Sequence, residues 1–318
     1  MHIRPIQIPA DLPAVVALHN AFEPDSTTPE QFQHWHDHMP PGRICRRMVA
    51  ASSGDPGAPV AGYSVVTHEP WFSEGHFYVW VAVEAAWQRQ GIGAALYADA
   101  LDFLREQEST NLKTQVRDDS PASLHFAQER GFAVDHHLFE STLDLTGFDE
   151  SRFQEDLLAC EDAGLRIFSL ADVGDTRDAR RRLHALNYET VLDIPGQDGA
   201  WMSFEEFEQR VCSADWFNPQ GQLLAALGET WVGLSAVQLL PQSQAAYNLI
   251  TGVLSAYRGR KIAQALKLAA IRYARRNGAR CLRTHNDSLN APMLAVNRKL
   301  GYVPQPGQYV LRQILPKG

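Results

Sequence analysis

Residues 83–96 read VEAAWQRQGIGAAL, and this stretch decides the fold because its hydrophobic periodicity changes within it. Apolar residues alternate through 76–83, as in a strand, and then recur every three or four residues, as on one face of a helix. That helix face consists of Ile92, Leu96, Ala100 and Phe103. A strand is therefore expected to enter a helix through a turn that contains two glycines.

The same pattern recurs 170 residues later in the chain. Residues 253–266 read VLSAYRGRKIAQAL, and they follow a strand-like stretch at 245–253. A second pair of positions shares the offset, because Gly131-Phe132 corresponds to Gly301-Tyr302. Two motifs at one offset indicate a duplicated domain.

Each copy alternates strands with helices, which predicts an α/β fold. Helices are expected at 11–22, 29–38, 175–192 and 203–212. Strands are expected at 43–51, 60–67, 222–227 and 231–239. The 318 residues exceed what one hydrophobic core usually serves. We predict an N-terminal domain at 1–146, a linker at 147–164 and a C-terminal domain at 165–318.

The composition disfavours several classes of protein. No apolar stretch is long enough to cross a bilayer, and the opening residues MHIRP are not a basic segment followed by an apolar core. A net charge of −8 disfavours non-specific binding to nucleic acid. The four cysteines form no Cys-x-x-Cys pair, so neither a disulfide framework nor a zinc site is expected. We predict a soluble, cytoplasmic protein with neither membrane nor nucleic acid as a partner.

A histidine cluster at 34–38 is the pattern that most suggests a metal. His34 and His38 are four residues apart, so they share one face of a helix. The metalloprotease motif His-Glu-x-x-His is absent, and a polar helix face beside a substrate cleft explains the cluster equally well. No metal site is predicted.

The turn between strand and helix is where chemistry is expected. The first amide groups of a helix lack intrahelical acceptors and lie at the positive end of the helix dipole, so they bind phosphate. Gly91 allows the main chain to approach a pyrophosphate, and a small residue at 93 or 263 keeps the helix start clear of it. The duplicated context favours a phosphate-binding loop over a simple turn.

The six residues Gln88-Arg89-Gln90-Gly91-Ile92-Gly93 resemble the acetyl-coenzyme-A motif of the GNAT acetyltransferases, and 258–263 resemble a variant of it. The resemblance covers nearly the whole chain, with one copy in each half. It implies two GNAT-like domains in tandem, each a twisted mixed sheet flanked by helices, with central strands that splay apart around the pantetheine arm. It also implies that backbone amides of the strand before each loop hold pantetheine and polarise the thioester. The implied acetyl-CoA contacts are Val81, Val83, Gln88, Arg89, Gln90, Gly91, Ile92, Gly93, Ser120, Val253, Arg258, Gly259, Arg260, Lys261, Ala263 and Asn290.

A second family signature is an Asn with a Tyr seven residues later, the usual general acid. The second copy keeps Asn290 but has Asn297 in place of the Tyr. The first copy has Ser120 and Ala127 at these positions. Conversely, the first copy keeps the loop glycine where the second has Lys261. We expect the first domain to bind acetyl-CoA more tightly, because losing a main-chain phosphate cradle costs more than losing one side-chain amide contact.

Transfer of an acetyl group to an amine requires a group that accepts the amine proton. The candidates in the first copy precede or follow the strand that enters the loop: Glu84, Glu69 and His76, together with Glu74. The candidates in the second copy are Glu189, Asp193, His285 and Asp287.

Two functions remain open at this point. The first is an N-acetyltransferase that uses acetyl-CoA, without a metal, and acts on a primary amine of a small molecule or peptide N-terminus by direct attack in a ternary complex. The alternative is a non-catalytic acyl-CoA-binding or sensor protein, because neither copy keeps the Tyr. We favour the enzyme, since backbone oxyanion donors do not depend on side chains. The expected assembly is a monomer with a pseudo-twofold domain pair, or a homodimer.

Overall fold

The computed structural model describes residues 1–22, 26–39, 42–69, 72–192 and 202–316. The chain divides into two compact units. The first unit contains Met1–Asp135 and Gln308–Gly318, and the second contains His136–Gly307. The end of the sequence therefore belongs to the first unit.

The described residues form strands and α-helices with the following bounds. Those that begin before residue 130 are β1 His2–Pro5, α1 Leu12–Phe22, α2 Pro29–Asp37, β2 Ile44–Ala51, β3 Val60–His68, β4 His76–Val83, α3 Ile92–Glu106, β5 Asn111–Arg117 and α4 Pro121–Gln128. Those that follow are β6 Ala133–Asp144, α5 Gln154–Asp162, β7 Leu165–Ser169, α6 Arg177–Val191, α7 Phe204–Phe207, β8 Gln222–Leu227, β9 Thr230–Leu240, β10 Ala245–Val253, α8 Ile262–Arg276, β11 Cys281–Asp287, α9 Ala291–Leu300 and β12 Val303–Ile314.

Each unit contains a mixed sheet built in the same order. The strands of the first unit follow the order β1-β2-β3-β4-β5-β12, and those of the second follow β7-β8-β9-β10-β11-β6. Only the β4–β5 and β10–β11 pairs are parallel among the pairings described, and the other neighbours are antiparallel. The predicted α/β fold with a mixed sheet is confirmed, as are the predicted bounds of the strands at 76–83 and 245–253.

The duplication is visible in the backbone as well as in the order of elements. Gly91 and Lys261 occupy the position before α3 and α8, both in the left-handed conformation, with φ of 83° and 61°. Gly131 and Gly301 follow α4 and α9, also with positive φ. The predicted offset therefore holds for both motifs.

A β-bulge in β10 changes the offset by one residue within the repeat. The first parallel pair is His76–Asn111 in the first unit and Ala245–Cys281 in the second, so the offset is 169 on the first strand and 170 on its neighbour. The register of β10 against β9 shifts between Asn248 and Ile250, where one extra residue is accommodated. Asn248 consequently corresponds to Val79, while residues after the bulge return to the offset of 170.

The units differ from the predicted domain bounds in two places. Residues 147–164 contain helix α5 rather than a linker, and Phe153 and Cys160 are buried in the core of the second unit. Residues 308–314 of β12 pair with β5, and Leu311 is fully buried in the first unit. The edge of β5 that faces away from β4 carries backbone N–H and C=O groups that need hydrogen-bond partners. Residues 308–314 of β12 supply those partners.

The apolar helix faces predicted from the sequence pack against the sheets. Leu96 and Ala100 of α3 are completely buried, as are Leu266 and Ala270 of α8, whereas the predicted Phe103 is half-buried and its neighbour Leu104 is completely buried. Within the described residues, no helix is both long and apolar enough to cross a membrane.

Lys267 is an unusual member of the second core, because its ammonium lies among buried groups. Its Nζ donates a hydrogen bond to Asn248 Oδ1 at 2.9 Å and lies 4.9 Å from the centre of the Tyr302 ring. Burial lowers the pKa of Lys267 to about 7 and raises the pKa of the Tyr302 hydroxyl above its usual range. Lys267 therefore loses its proton at a lower pH in the folded chain than in the unfolded chain.

Lys267→Met tests this account of the second core. The unfolded chain binds more protons than the folded one between pH 7 and the ordinary lysine pKa of 10.5, so the unfolding free energy of the wild type should rise with pH across that window. We expect Lys267→Met to be more stable than the wild type at pH 6–7 by up to about 4 kcal/mol, and the difference to shrink towards pH 10.5. Urea unfolding at several pH values measures this, and a pH-independent difference would contradict the assignment.

Candidate active site

The two parallel strands of the first unit separate soon after they meet. Residues 76–78 of β4 pair with 111–113 of β5. Beyond Tyr78, no pair in the described chain joins the two strands, although β4 still pairs with β3 and β5 with β12. The facing edges from Val79 to Val83 and from Thr114 to Arg117 therefore leave backbone groups open towards a gap.

A cleft of about 430 Å³ occupies this gap. Both open strand edges line it, together with the loop at 88–93, which we call the first loop, and the start of α4. Seven of the predicted acetyl-CoA contacts line the cleft: Val81, Val83, Gln88, Arg89, Gly91, Gly93 and Ser120. The other two from this copy do not: Ile92 is buried against the sheet, and the side-chain Nε2 of Gln90 donates to Ala86 O at 3.3 Å.

The first loop presents main-chain donors to the cleft wall. Among the described residues, the amides of 89–94 have no hydrogen-bond acceptor, and they lie at the positive end of the α3 dipole. A Cβ added at Gly91 would meet no atom within 4 Å, so this position faces open space. A Cβ at Gly93 would lie 3.2 Å from Phe126, so this glycine permits close packing of α3 against α4.

The first residue of each loop motif ties the loop to the strand before it. Gln88 Nε2 donates to Val83 O at 3.0 Å, and Arg258 Nε donates to Val253 O at 3.1 Å. The side chain therefore holds the end of the strand against the start of the loop.

Arg130 is a cleft residue that the sequence analysis missed. Its guanidinium stacks 3.4 Å from the centre of the Phe126 ring, and Nη1 donates to Phe126 O at 2.8 Å. These contacts fix a cation beside the loop, where it suits a phosphate. The corresponding residue of the second copy is Leu300, so the internal repeat carried no signal for it.

Ser120 and Asn290 occupy equivalent helix starts but make different bonds. Ser120 Oγ donates to Ser123 Oγ at 2.8 Å, and both side chains line the cleft. Asn290 Oδ1 accepts a hydrogen bond from the Met293 amide at 3.3 Å and so caps α9.

The structure separates the three leading candidates for the base. Glu69 pairs with Arg43 at 2.6 Å, and His76 begins β4 at the end where the strands are still paired. Neither side chain lies in the wall of the cleft as far as the described residues show. Glu84 directly follows Val83 of that wall, Glu74 lies near the start of β4, and both are exposed. None of these four lines the cleft among the described residues, and Glu84 is the one whose neighbour in the chain, Val83, does.

In the second unit the loop at 258–263, which we call the second loop, lacks the open glycine position. Lys261 adopts the left-handed conformation, and its Nζ donates to Asp156 Oδ1 of α5 at 2.5 Å. The hydrogen bonds from Lys261, Lys299 and Gln264 hold the pKa of Asp156 well below its usual range. Val253 ends β10, Gly259 and Arg260 directly precede Lys261, and Ala263 lies in the first turn of α8.

The candidate bases of the second copy are dispersed. Asp287 accepts a hydrogen bond from the Leu289 amide and lies 3.7 Å from His136 Nε2. The His285 ring packs 5.7 Å from that of Tyr247, and Glu189 lies on α6. Asp193 lies outside the described residues.

The histidine cluster forms a stack rather than a ligand set. The rings of His34 and His38 are 4.1 Å apart, and His38 Nδ1 contacts His34 O at 2.9 Å. Among the described residues, no group of three or more His, Cys, Asp or Glu side chains is arranged to hold a metal.

Comparison with known proteins agrees with this geometry. The model of the acetyltransferase (GNAT) family matches residues 12–132 and 189–302, so the chain belongs to that family. A mycothiol acetyltransferase of Corynebacterium glutamicum is 26% identical over 231 residues, which cover 70% of each chain. A second mycothiol acetyltransferase, from strain R of that species, is 31% identical over 140 residues, or 44% of this chain and 47% of the relative.

Solved structures share the fold over the full length. A tandem GNAT protein from the clavulanic acid biosynthesis pathway has a TM-score of 0.64 at 20% identity, covering 100% of this chain and 99% of its own. A GCN5-related N-acetyltransferase from Sphaerobacter thermophilus also has a TM-score of 0.64, at 18% identity, covering 98% and 95%. The tandem arrangement predicted from the internal repeat is thereby confirmed.

Gly91→Glu tests whether the first loop holds the phosphates of acetyl-CoA. The new side chain meets no protein atom at Cβ, but its carboxylate would oppose the phosphates, so we expect affinity measured by calorimetry to fall by about 100-fold. Ala263→Glu at the second loop is the matched variant and should keep most of the binding. Gly91→Asn separates backbone strain, about 1–2 kcal/mol, from charge, because Asn tolerates the left-handed conformation. The opposite pattern for the two Glu variants would assign the working site to the second loop.

Proposed function

We propose that the first unit is an acetyl-CoA-dependent N-acetyltransferase that acetylates a primary amine, of a small molecule or a peptide N-terminus, by direct attack in a ternary complex. One observation carries this proposal. The open edges of β4 and β5 converge on a cleft bordered by the first loop, whose main-chain amides have no acceptor in the described part of the chain and whose Gly91 faces open space.

The residues of the cleft suit acetyl-CoA along its length. The amides of 89–94 and the guanidinium of Arg130 suit the pyrophosphate, and the open position at Gly91 leaves room for it. The exposed edge of β4 suits the amide groups of pantetheine, which can pair with it as a short strand would. When bound, acetyl-CoA supplies the activated acetyl group.

The acceptor amine is proposed to enter from the opposite face of the sheet. Phe22 of α1 and Trp80 of β4 line the cleft on that side, with ring centres 6.1 Å apart. Gln115 and Gln308 add polar groups from β5 and β12. An amine that approaches between these side chains would meet the acetyl group between the splayed strands.

The proposed reaction requires no nucleophile from the protein. The neutral amine attacks the thioester carbonyl, a C–N bond forms, and backbone amides of the β4 edge at Val81–Val83 stabilise the oxyanion. Glu84, directly or through water, accepts the proton that the nitrogen loses. The C–S bond then breaks, and water protonates the departing thiolate, because Ala127 stands where the family has its Tyr.

The names of the relatives suggest where to look for the acceptor. Both curated relatives are mycothiol acetyltransferases, so we include an acceptor related to mycothiol among the amines proposed. We keep the predicted cytoplasmic location as part of the proposal. The alternative, an acyl-CoA-binding protein without turnover, is favoured by the absence of the Tyr at Ala127 and Asn297.

Thiol release from acetyl-CoA across a panel of amines tests the proposal. We expect turnover with at least one amine, and we expect Glu84→Gln to lower kcat by about 100-fold while coenzyme binding is unchanged. Glu74→Gln is the matched control, because Glu74 is exposed near the opposite end of β4, and it should retain activity. Tight coenzyme binding with no turnover on any amine would support the alternative instead.

A further inference from the structure

The second unit contains the same splayed strands as the first, but its own side chains fill the gap. Residues 245–247 of β10 pair with 281–283 of β11, and the pairing then stops as it does between β4 and β5. Both loops also leave amides without acceptors among the described residues, at 89–94 and at 259–264. The backbone would therefore suit the same ligand in both units.

Beside the second loop, the carboxylate of Asp156 in α5 contacts cationic side chains that would attract a phosphate. Asp156 accepts hydrogen bonds from Lys261 Nζ at 2.5 Å, Lys299 Nζ at 2.7 Å and Gln264 Nε2 at 2.8 Å. Lys261 occupies the position of Gly91, immediately before the helix. The two lysine ammonium groups and the side-chain amide of Gln264 form an anion site beside the N-terminus of α8. The carboxylate of Asp156 is the anion that occupies it.

Helix α5 is held in place independently of this carboxylate. Cys160, one turn further along the same helix, is buried, and its Sγ donates to Arg260 O of the second loop at 3.6 Å. Phe153, just before the helix, is also buried in the second core. The position of Asp156 is therefore fixed by the packing of the helix as well as by its ion pairs.

The inner end of the same gap is closed by a second set of contacts. Four residues that line the cleft of the first unit, Val79, Tyr97, Thr114 and Phe132, correspond to Asn248, Lys267, Thr284 and Tyr302. In the second unit these four contact one another: Lys267 Nζ bonds Asn248 Oδ1, Thr284 Oγ1 donates to Asn248 O at 3.0 Å, and Lys267 lies over the Tyr302 ring. Asn248 O is a backbone acceptor at the point where the parallel pairing has ended, and Thr284 satisfies it.

We propose that Asp156 is a built-in competitor of phosphate at the second loop, so that the chain binds a single acyl-CoA and α5 keeps the second unit closed to phosphate-bearing ligands. Because Asp156 is attached to the same unit, its carboxylate is present at the second loop at a high effective concentration. A phosphate-bearing ligand from solution has to displace it in order to bind. The inference rests on the proposed use of the first loop for acetyl-CoA. Its test concerns the second loop alone.

The test uses the full chain with the substitution Gly91→Glu, which is expected to prevent binding at the first loop. Calorimetry then measures the binding of two probes, inorganic pyrophosphate and coenzyme A. Adding Asp156→Ala should uncover a pyrophosphate site with an affinity at least about tenfold higher than that of Gly91→Glu alone. Asp162→Ala, which removes an exposed carboxylate from the same helix, is the matched control and should uncover nothing. Adding Lys261→Ala to the Asp156→Ala chain should remove most of the gain.

Two results would overturn the proposal. One is one-to-one binding of coenzyme A by Gly91→Glu alone with wild-type affinity, because the second loop would then be open despite Asp156. The other is a folded Asp156→Ala chain, or the more conservative Asp156→Asn chain, that binds pyrophosphate no better than the Asp162→Ala control. Thermal melting establishes folding in each case. If instead the wild type binds no coenzyme A, the proposed function fails, while the pyrophosphate comparison still reports on Asp156.

Discussion

The early end of parallel pairing between two central strands is the constraint on which the rest of the structure depends. A strand that loses its neighbour leaves N–H and C=O groups that must find another partner or face solvent. In the first unit, β4 and β5 share three residue pairs and then present open edges to a cleft. The first loop joins one of these edges to α3, so strand edge, loop amides and helix dipole converge on the same space.

The two units place different side chains in the gap between the separated strands. In the first, apolar and aromatic side chains such as Val79 and Phe132 line the gap, which forms a cleft of about 430 Å³. In the second, polar side chains cross the gap and bond each other, and Lys267 is buried at the cost of a lowered pKa. The duplicated fold thus keeps the separated strands in both halves, with different side chains between them.

The sequence predicted the parts that local patterns encode. The alternation at 76–83 and 245–253 reproduced the bounds of β4 and β10, and the shared offset of two motifs predicted the tandem fold. The pairing of β12 with the first unit was missed, because the local sequence of a strand does not show whether it pairs with the sheet of its own half of the chain or with that of the other half. Arg130 was missed because its role comes from stacking on Phe126, and α5 because its apolar residues form one run at 157–160 rather than a stripe at helical spacing. Glu84, Glu69 and His76 were chosen because each side chain can accept a proton. Their different positions relative to the gap became apparent only from the register of β4 against β5.

Hydrogen exchange with and without acetyl-CoA tests the central claim most directly, because that claim concerns individual backbone amides. The account predicts that the amides of 89–94 and the open edge of β4 exchange more slowly when acetyl-CoA is present, while those of 259–264 are unchanged. Protection of 259–264 with no change at 89–94 would contradict it, since acetyl-CoA would then bind at the loop that Asp156 is proposed to close.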